Sequence, residues 1–478
     1  MRNYKTTRIC VPVCEKDFSA LQSACERASQ WADILELRLD CLEALPESLL
    51  STVSRPVILT FRPSEQGGHR HLSREARIAF WKTQALRGEA VWWDLEADIA
   101  EALSPDWSRT IVSHHDFSGI PTDLNRIYER LAQTPARVLK IAVQANEILD
   151  CIPILKLIDR ARHEDREIIA IAMGNAGIAT RVLGPARGAF LTYGALDDDS
   201  ATAPGQINAQ RLRSLYQIDK IDSETMICGL VGMPVMHSVS PHIHNAAFAS
   251  EGINGVYLPF EVNQITSFFK RMVHPRTREM NWNLRGLSIT APHKQTVMQC
   301  IDWIHPEAED IGAVNTIVVE DERLLGYNTD AAGLIAPLLA RLGSLTDKKV
   351  AIIGAGGAAR AAVWALRQQK AVVTVFARDL ARATPLNVPC ESIGSASFAG
   401  YDVVINATPL GSGAHIDQTP ATQQQLSGAR YVYDLVYNPI ETQLMRTAAQ
   451  AGCGTLGGLE MLVAQAELQF ELWTGKKP

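Results

Sequence analysis

A chain of 478 residues exceeds what one ordinary hydrophobic core organises, so two or three domains are expected. With 46% hydrophobic and 21% charged residues the composition is globular, and a net charge of −6 gives no electrostatic footing for nucleic acid or an anionic membrane surface. Nine scattered cysteines, with no C-x-x-C pair and no His/Cys cluster at ligand spacing, point to a reducing compartment and away from structural zinc. The opening MRNYKTTRICVPVC runs almost directly into a strand-like stretch, and no apolar run is long enough to span a bilayer. A cytoplasmic chain is therefore expected, acting on small molecules as a monomer or small homo-oligomer.

Strand-like runs then recur at 8–14 (RICVPVC), 34–40 (ILELRLD), 56–62 (PVILTFR), 90–96 (AVWWDLE), 109–116 (RTIVSHHD), 137–144 (RVLKIAVQ), 167–174 (EIIAIAMG) and 190–196 (FLTYGAL). Most are separated by stretches of helical spacing. Near-continuous apolar runs alternating with helices indicate parallel strands covered on both faces. Eight such units predict a (β/α)8 barrel, with a doubly wound open sheet as the alternative.

Polar residues favour the barrel, because they gather at one end of nearly every run. Glu36, Arg38 and Asp40 close the second, Arg62 the third, Glu96 the fourth, and His114, His115 and Asp116 the fifth, with Arg181 after the seventh. Lys140 lies inside an apolar run, where an ammonium costs desolvation energy. It must either reach solvent or carry a depressed pKa of the kind Schiff-base lysines need.

In order, ELRLD, TFRPSEQGG, IVSHHD, LKIAV, MGNAGIATR and TAPGQ resemble the type I 3-dehydroquinate dehydratases over nearly all of residues 8–215. The resemblance implies that Lys140 forms an imine with a substrate ketone and that His115 is the general acid/base, with His114 its neighbour. It also implies that Glu36, Arg38, Arg62 and Arg181 bind substrate, and that Thr202 and Gln206 lie in a covering loop. Arg181 suits a carboxylate, which guanidinium holds bidentately. Two departures stand out: Gln66 replaces the acidic residue common before the GG of the third loop, and only a reduced helix fits between Glu96 and His115.

A new pattern starts after LRSLYQIDKIDSETM, placing a boundary near 217–225. KKVAIIGAGGAARAAVWALRQQKAVVTVFARD (348–379) reads strand, glycine turn, helix, strand. In that context Gly354, Ala355, Gly356, Gly357 and Ala358 form a dinucleotide turn, with the pyrophosphate at a helix N-terminus. The second strand ends in F-A-R. Arg378, with Arg382, suits the 2′-phosphate of NADP; Asp379 is a counter-signal unless it caps a helix.

GMPVMHSVSPHIHN, LRGLSITAPHK, IGAVNTIVV, GYNTD, INATPLGS, YDLVYNP and GGLEMLVAQAELQFELWTG, in that order, resemble the shikimate dehydrogenases over residues 226–478. The resemblance implies that Ser238 and Ser240 hold a substrate carboxylate, that Thr290, Asn315 and Gln465 bind ring hydroxyls, and that Lys294 and Asp330 are the catalytic pair. Asn406, Thr408 and Tyr437 match positions near the nicotinamide, with Tyr437 assigned to substrate and Asn406, Thr408 and Gly458 to cofactor. Ala331 and Glu460 depart from the family's usual small residues.

The expected domains are a barrel over 1–220, a substrate-binding domain over 225–335 plus 455–478, and a Rossmann NADP domain over 336–454. Together the halves resemble a fused 3-dehydroquinate dehydratase–shikimate dehydrogenase. Two rivals are an NAD-dependent quinate/shikimate dehydrogenase with an impaired barrel and a quinate/shikimate-sensing regulator. Arg378 and the paired serines speak against the first, and the presence of Lys140, His115, Lys294 and Asp330 against the second.

Overall fold

The structure, a computed structural model, describes all residues except 1–6, 46–48, 84–90 and 200. Eight strands form the first sheet: β1 (Ile9–Val13), β2 (Ile34–Arg38), β3 (Val57–Thr60), β4 (Val91–Glu96), β5 (Thr110–Asp116), β6 (Val138–Gln144), β7 (Glu167–Met173) and β8 (Thr192–Tyr193). Their order is β7-β6-β5-β4-β3-β2-β1-β8, and β1 pairs in parallel with both β2 and β8, so the first strand is no edge. Facing β7, the Phe190 N–H of the eighth run donates to the Ile168 carbonyl (2.7 Å). This is the expected barrel, and the open doubly wound sheet is excluded. The helix before β5 is Ala100–Leu103, four residues, as the short connection requires.

Strand periodicity explains the placement of the charges. Alternate residues of a strand face the same side, and Cys10, Ile34, Ile58, Ile111, Val138, Ile169 and Leu191 form one apolar cluster inside the barrel, with Trp92 against it. Two residues further along several strands come Glu36, Thr60, Asp94, Ser113 and Lys140, and two further again come Arg38, Arg62, Glu96 and His115. The lower barrel is thus apolar and the C-terminal mouth ionic. Intervening residues are buried under the helices, so β6 is buried at every position except Gln144.

Strands β9 (Met226–Gly232) and β10 (Gly255–Glu261) follow, parallel and in register from Met226–Gly255 to Gly232–Glu261. Packing density divides the chain after Leu284, so this pair groups with the barrel. Two contacts from barrel helices hold the segment after this pair: Lys156 Nζ donates to Glu279 Oε2 (2.9 Å) and Arg187 Nη1 to the Asn281 carbonyl (2.9 Å).

The second unit, Arg285–Pro478, holds two sheets. In one, β11 (Leu284–Ile289) and β14 (Arg323–Tyr327) flank β13 (Thr316–Glu320) in antiparallel fashion, and β12 (Trp303–Ile304) adds parallel to β14. The other contains β15 (Lys349–Ile353), β16 (Val372–Ala377), β17 (Cys390–Ser392), β18 (Val403–Asn406), β19 (Tyr431–Asp434) and β20 (Gly454–Leu456). They are all parallel, in the order β17-β16-β15-β18-β19-β20. That is the strand order of a dinucleotide fold, with its switch point between β15 and β18. The last helix, Gly458–Thr474, returns to the first of these sheets: Trp473 Nε1 donates to the Ile317 carbonyl (2.9 Å) and Ser288 Oγ to Gln469 Oε1 (2.7 Å). Gly286 permits this approach, since a Cβ there would lie 2.0 Å from Trp473 Nε1.

One pairing was not marked by the sequence. Cys14 and Cys41, which follow β1 and β2, are joined by a disulfide, and their sulfurs lie with a ring nitrogen of His69 inside a 4.8 Å cluster. Spacing of 27 residues hid the pair, because adjacent barrel strands bring it together. Among the described residues no helix is long and apolar enough to cross a membrane.

Candidate active sites

All eight barrel residues expected at a site line one cavity at the mouth: Glu36, Arg38, Arg62, His115, Lys140, Arg181, Thr202 and Gln206. Lys140 does not reach solvent. Its Nζ donates to Asp94 Oδ2 (2.7 Å) and to the Tyr193 hydroxyl (2.8 Å), and stands 3.6 Å from Glu36 Oε1. Asp94 Oδ2 also accepts from Arg62 Nη2 (2.6 Å). Burial opposes its charge, but Arg62 and Lys140 outweigh burial and hold the carboxyl well below the usual range. Beside it, burial prevails over Arg62 and pushes the Glu96 carboxyl up to about 7.

His115 faces inward, and Arg62 Nη1 lies 2.7 Å from its Nε2. Guanidinium only donates, so Nε2 is the unprotonated nitrogen. Burial first, then Arg62 and Lys140, hold the imidazole well below its ordinary pKa, which keeps it neutral. His114, one residue earlier, takes the opposite parity, and Arg130 of the helix Leu124–Ala132 contributes to its lowered pKa after burial. Arg38 binds Asp40 with two hydrogen bonds (3.1 and 2.8 Å) and donates to the Gly67 carbonyl (2.9 Å). Gln66 lines the same cavity, with its Oε1 buried and without a hydrogen-bond partner among the described residues.

Arg181 is 1% exposed, and its partners among the described residues are carbonyls, Tyr193 O (3.5 Å) and Pro204 O (3.2 Å). No carboxylate among the described residues pairs with it, and burial lowers its pKa to about 10. A buried guanidinium without a counter-ion is a costly arrangement that an anionic group relieves. In the covering loop, Gln206 Oε1 accepts from the Thr202 N–H (3.0 Å).

In the second unit, Lys294 Nζ donates to Asp330 Oδ2 (2.5 Å), and Asn315 Nδ2 to Asp330 Oδ1 (2.8 Å). Asp330 opens the helix Asp330–Leu342, where the positive end of the helix dipole favours a carboxylate. Gln465, on the last helix, accepts weakly from Thr329 Oγ1 (3.5 Å), and Thr290 follows the end of β11. Within the first unit, Ser238 Oγ donates to Ser240 Oγ (3.1 Å) at the start of the helix Ser240–Ser250, a position suited to an anion.

The glycine turn follows β15. Gly354 has φ +117°, which side chains rarely adopt, and a Cβ there would meet Thr408. A Cβ on Gly356 or Gly357 would meet nothing within 4 Å, so the backbone at the start of the helix Gly357–Gln368 is open to a phosphate group. Ala355 and Ala358 are half-buried beside it. Arg378 is exposed and unpaired among the described residues, whereas Arg382 stands 3.6 Å from Asp379. Asp379 Oδ1 accepts from the Ala381 N–H (3.0 Å), capping the helix Leu380–Ala383, so its presence after Arg378 has a local cause.

Asn406 is fully buried and engaged within the protein: it donates to Asp434 Oδ1 (2.9 Å) and accepts from Thr408 N (3.0 Å) and Oγ1 (2.7 Å). It shapes the Thr408 loop. Tyr437 lies half-buried in the loop after β19, and Gly458 sits where a Cβ would come within 2.4 Å of the Leu435 carbonyl. Glu460 is exposed and pairs with Arg341 (3.2 Å), and Ala331 is accommodated at 1% exposure. Two site residues are missing from the expected set, Asp94 and Tyr193. Strand parity marks both, since Asp94 precedes Glu96 by two and Tyr193 follows the inward Leu191 by two.

Three stretches of the chain match known protein families. Residues 9–223 match the type I 3-dehydroquinase family, residues 230–317 the shikimate dehydrogenase substrate-binding domain, and residues 458–478 the shikimate 5′-dehydrogenase C-terminal domain. A chloroplastic bifunctional 3-dehydroquinate dehydratase/shikimate dehydrogenase of Arabidopsis thaliana is 33% identical, over 98% of this chain and 82% of its own length. A shikimate dehydrogenase (NADP(+)) of Carboxydothermus hydrogenoformans is 36% identical over 54% of this chain and 95% of its length. The solved structure of a shikimate dehydrogenase in complex with NADP+ superposes with a TM-score of 0.51 at 35% identity, covering 54% of this chain and 93% of that one. With a buried lysine in a barrel mouth, a Lys–Asp pair in the unit that holds the dinucleotide fold, and a 33% identical relative matched over 98% of this chain and 82% of its own length, the chain belongs to the bifunctional 3-dehydroquinate dehydratase/shikimate dehydrogenase family.

Proposed function

We propose that this chain dehydrates 3-dehydroquinate to 3-dehydroshikimate in its barrel and reduces that product to shikimate with NADPH in its second half. The observation that carries the first step is Lys140, a lysine 3% exposed on the inner barrel wall, in a cavity whose buried Arg181 has no counter-ion among the described residues. Arg181 takes the substrate carboxylate, and the ketone condenses with Lys140 to an imine that withdraws electrons from the adjacent carbon. His115, neutral because burial and nearby cations depress its pKa, accepts the proton alpha to the imine at Nε2 once Arg62 turns from it to the substrate. The resulting imidazolium returns a proton to the leaving hydroxyl.

For the second step, the open glycine turn and the exposed Arg378 fit a dinucleotide carrying a 2′-phosphate. NADPH supplies the hydride when bound. Lys294, held by Asp330, delivers the proton to the carbonyl oxygen, while Ser238 and Ser240 take the carboxylate and Thr290, Asn315 and Gln465 the ring hydroxyls. Asp330 keeps Lys294 oriented and is itself fixed by Asn315. Within this reading the barrel spans residues 1–220, the substrate-binding domain 225–335 plus 455–478, and the NADP domain 336–454.

A single cuvette tests the reading: purified chain, 3-dehydroquinate and NADPH, with NADPH absorbance followed over time. Steady loss is expected. Loss only on adding 3-dehydroshikimate would sink the barrel assignment, and loss with neither substrate would sink both. Lys294→Ala is expected to slow reduction by roughly 10²–10⁴-fold, the usual contribution of a general acid, with dehydration unchanged and 3-dehydroshikimate accumulating. Arg378→Ala is expected to raise KM for NADPH about tenfold or more and to leave KM for NADH nearly unchanged, read by paired titrations.

A further inference from the structure

Cys14, Cys41 and His69 are not among the side chains that line the substrate cavity, and the chemistry above uses none of them. Their ligand-type atoms lie within 4.8 Å of one another, the one such group of three among the described residues. They follow β1, β2 and β3, strands that pair side by side, so the barrel assembles a set that linear spacing does not mark. Backbone contacts hold the three segments together. The His69 N–H donates to Oδ2 of Asp40 (2.9 Å), the residue before Cys41, and Arg70 donates to the Leu42 carbonyl. The Cα atoms of the two cysteines are 5.4 Å apart. Cys41 is buried, whereas Cys14 is half-buried and His69 exposed, which leaves a cation an entry path from solvent.

We propose that Cys14, Cys41 and His69 form a redox-gated site for one borderline-soft divalent cation of the zinc class, filled only when the disulfide is reduced. Two thiolates and an imidazole are a ligand set that zinc favours, with Zn–S near 2.3 Å and Zn–N near 2.0–2.1 Å. Tetrahedral geometry at those bond lengths places the ligand atoms about 3.5–3.8 Å apart, inside the span of this group. Sulfurs bonded to each other carry no thiolate charge and stand too close to share a metal. A dithiol reductant supplies two electrons and two protons, the S–S bond breaks, and two thiols and the oxidised dithiol result. The cation then displaces both thiol protons, and water fills the fourth position. Two thiolates balance its charge, so the adjacent Arg38–Asp40 pair keeps its own balance. In the disulfide form the crosslink joins β1 to β2 alone. In the metal form it also ties down the loop after β3, whose Gln66 and Gly67 line the substrate cavity.

The experiment uses the full chain, one sample oxidised and one reduced with a phosphine, which does not hold zinc as a dithiol would. Both are incubated without air with Zn2+, desalted and assayed for metal by mass spectrometry. One zinc per reduced chain is expected, and only traces on the oxidised one. Co2+ in place of Zn2+ should give the reduced chain the visible bands of a tetrahedral ion and a thiolate-to-cobalt charge-transfer band. Cys14→Ser should lose that band, and His69→Ala should weaken zinc binding at least about tenfold, the least that removing even an outer-shell partner costs. Equal uptake by oxidised and reduced chains overturns the gate, and a reduced chain that takes up no zinc overturns the site. Uptake that persists unchanged in Cys14→Ser or His69→Ala places the metal elsewhere and overturns the assignment. The comparison of reduced with oxidised wild type needs no variant, so it decides the matter even if both substitutions unfold the barrel.

Discussion

Lys140→Ala is expected to abolish dehydration of 3-dehydroquinate, by at least about 10³-fold, because loss of a covalent nucleophile removes the intermediate and not merely some binding. Two measurements check it. The dehydration rate should drop to background, and borohydride quenching should leave no adduct on the variant where it leaves one on the wild type. Reduction of added 3-dehydroshikimate should continue at the wild-type rate, since Lys294 and Asp330 lie in the other unit. The substitution should cost little stability, because Asp94 keeps its bond to Arg62 when Lys140 is gone. Persistent dehydration would show that the barrel uses another mechanism.

Asp94→Ala carries the second large effect, and it acts on both stability and activity. The carboxylate is the shared partner of two buried cations, Lys140 (2.7 Å) and Arg62 (2.6 Å). Removing one member of a buried ion pair leaves uncompensated charge and costs about 3–5 kcal/mol. For a unit of this size the melting temperature should fall by roughly 10 °C or more. The pH dependence has a definite sign. A carboxyl with a depressed folded pKa contributes stability that is complete above the unfolded value, about 3.9, and disappears as pH falls through the folded one. The gap between wild type and Asp94→Ala should therefore be full at pH 7 and narrow only in strong acid, as thermal scans at several pH values would read. Dehydration should fall sharply as well, with Lys140 freed from the position that presents it to substrate. A variant as stable and as active as the wild type would mean that Asp94 bears none of this charge.

The resemblance of two sequence halves to two families was legible because the elements that carry it are local. Apolar runs broken by helical spacing mark barrel strands whatever surrounds them, and the eighth, with only Thr192–Tyr193 in strand geometry, is the weakest because its pairing surface is short. Parity likewise separates His115 from His114 before any coordinates, given one inward residue on β5 such as Ile111. Asn406 illustrates the opposite case. Its place in a motif says that it lies near the cofactor turn, yet hydrogen bonds to Asp434 and Thr408 consume its side chain. Gln66 stays between these cases: it lines the expected cavity, and nothing in the structure explains the change from an acidic residue.

What the chain's sequence determines by itself is therefore the set of units and the end of each strand where chemistry collects. Those follow from the twofold alternation of strands and from the backbone freedom of glycine at Gly354. Tertiary structure alone decides which side chains meet. Lys140 and Asp94 are 46 residues apart and Lys140 and Tyr193 are 53 apart, and only barrel closure through β8 brings the phenol to the amine. Register between adjacent strands also joins Cys14 to Cys41, and packing of the last helix sends Glu460 to Arg341. The physical reason is common to all of these. Local pattern fixes the direction in which each side chain points, but counter-ions, proton donors and crosslinks are chosen by distances across strands, which depend on how the whole sheet closes.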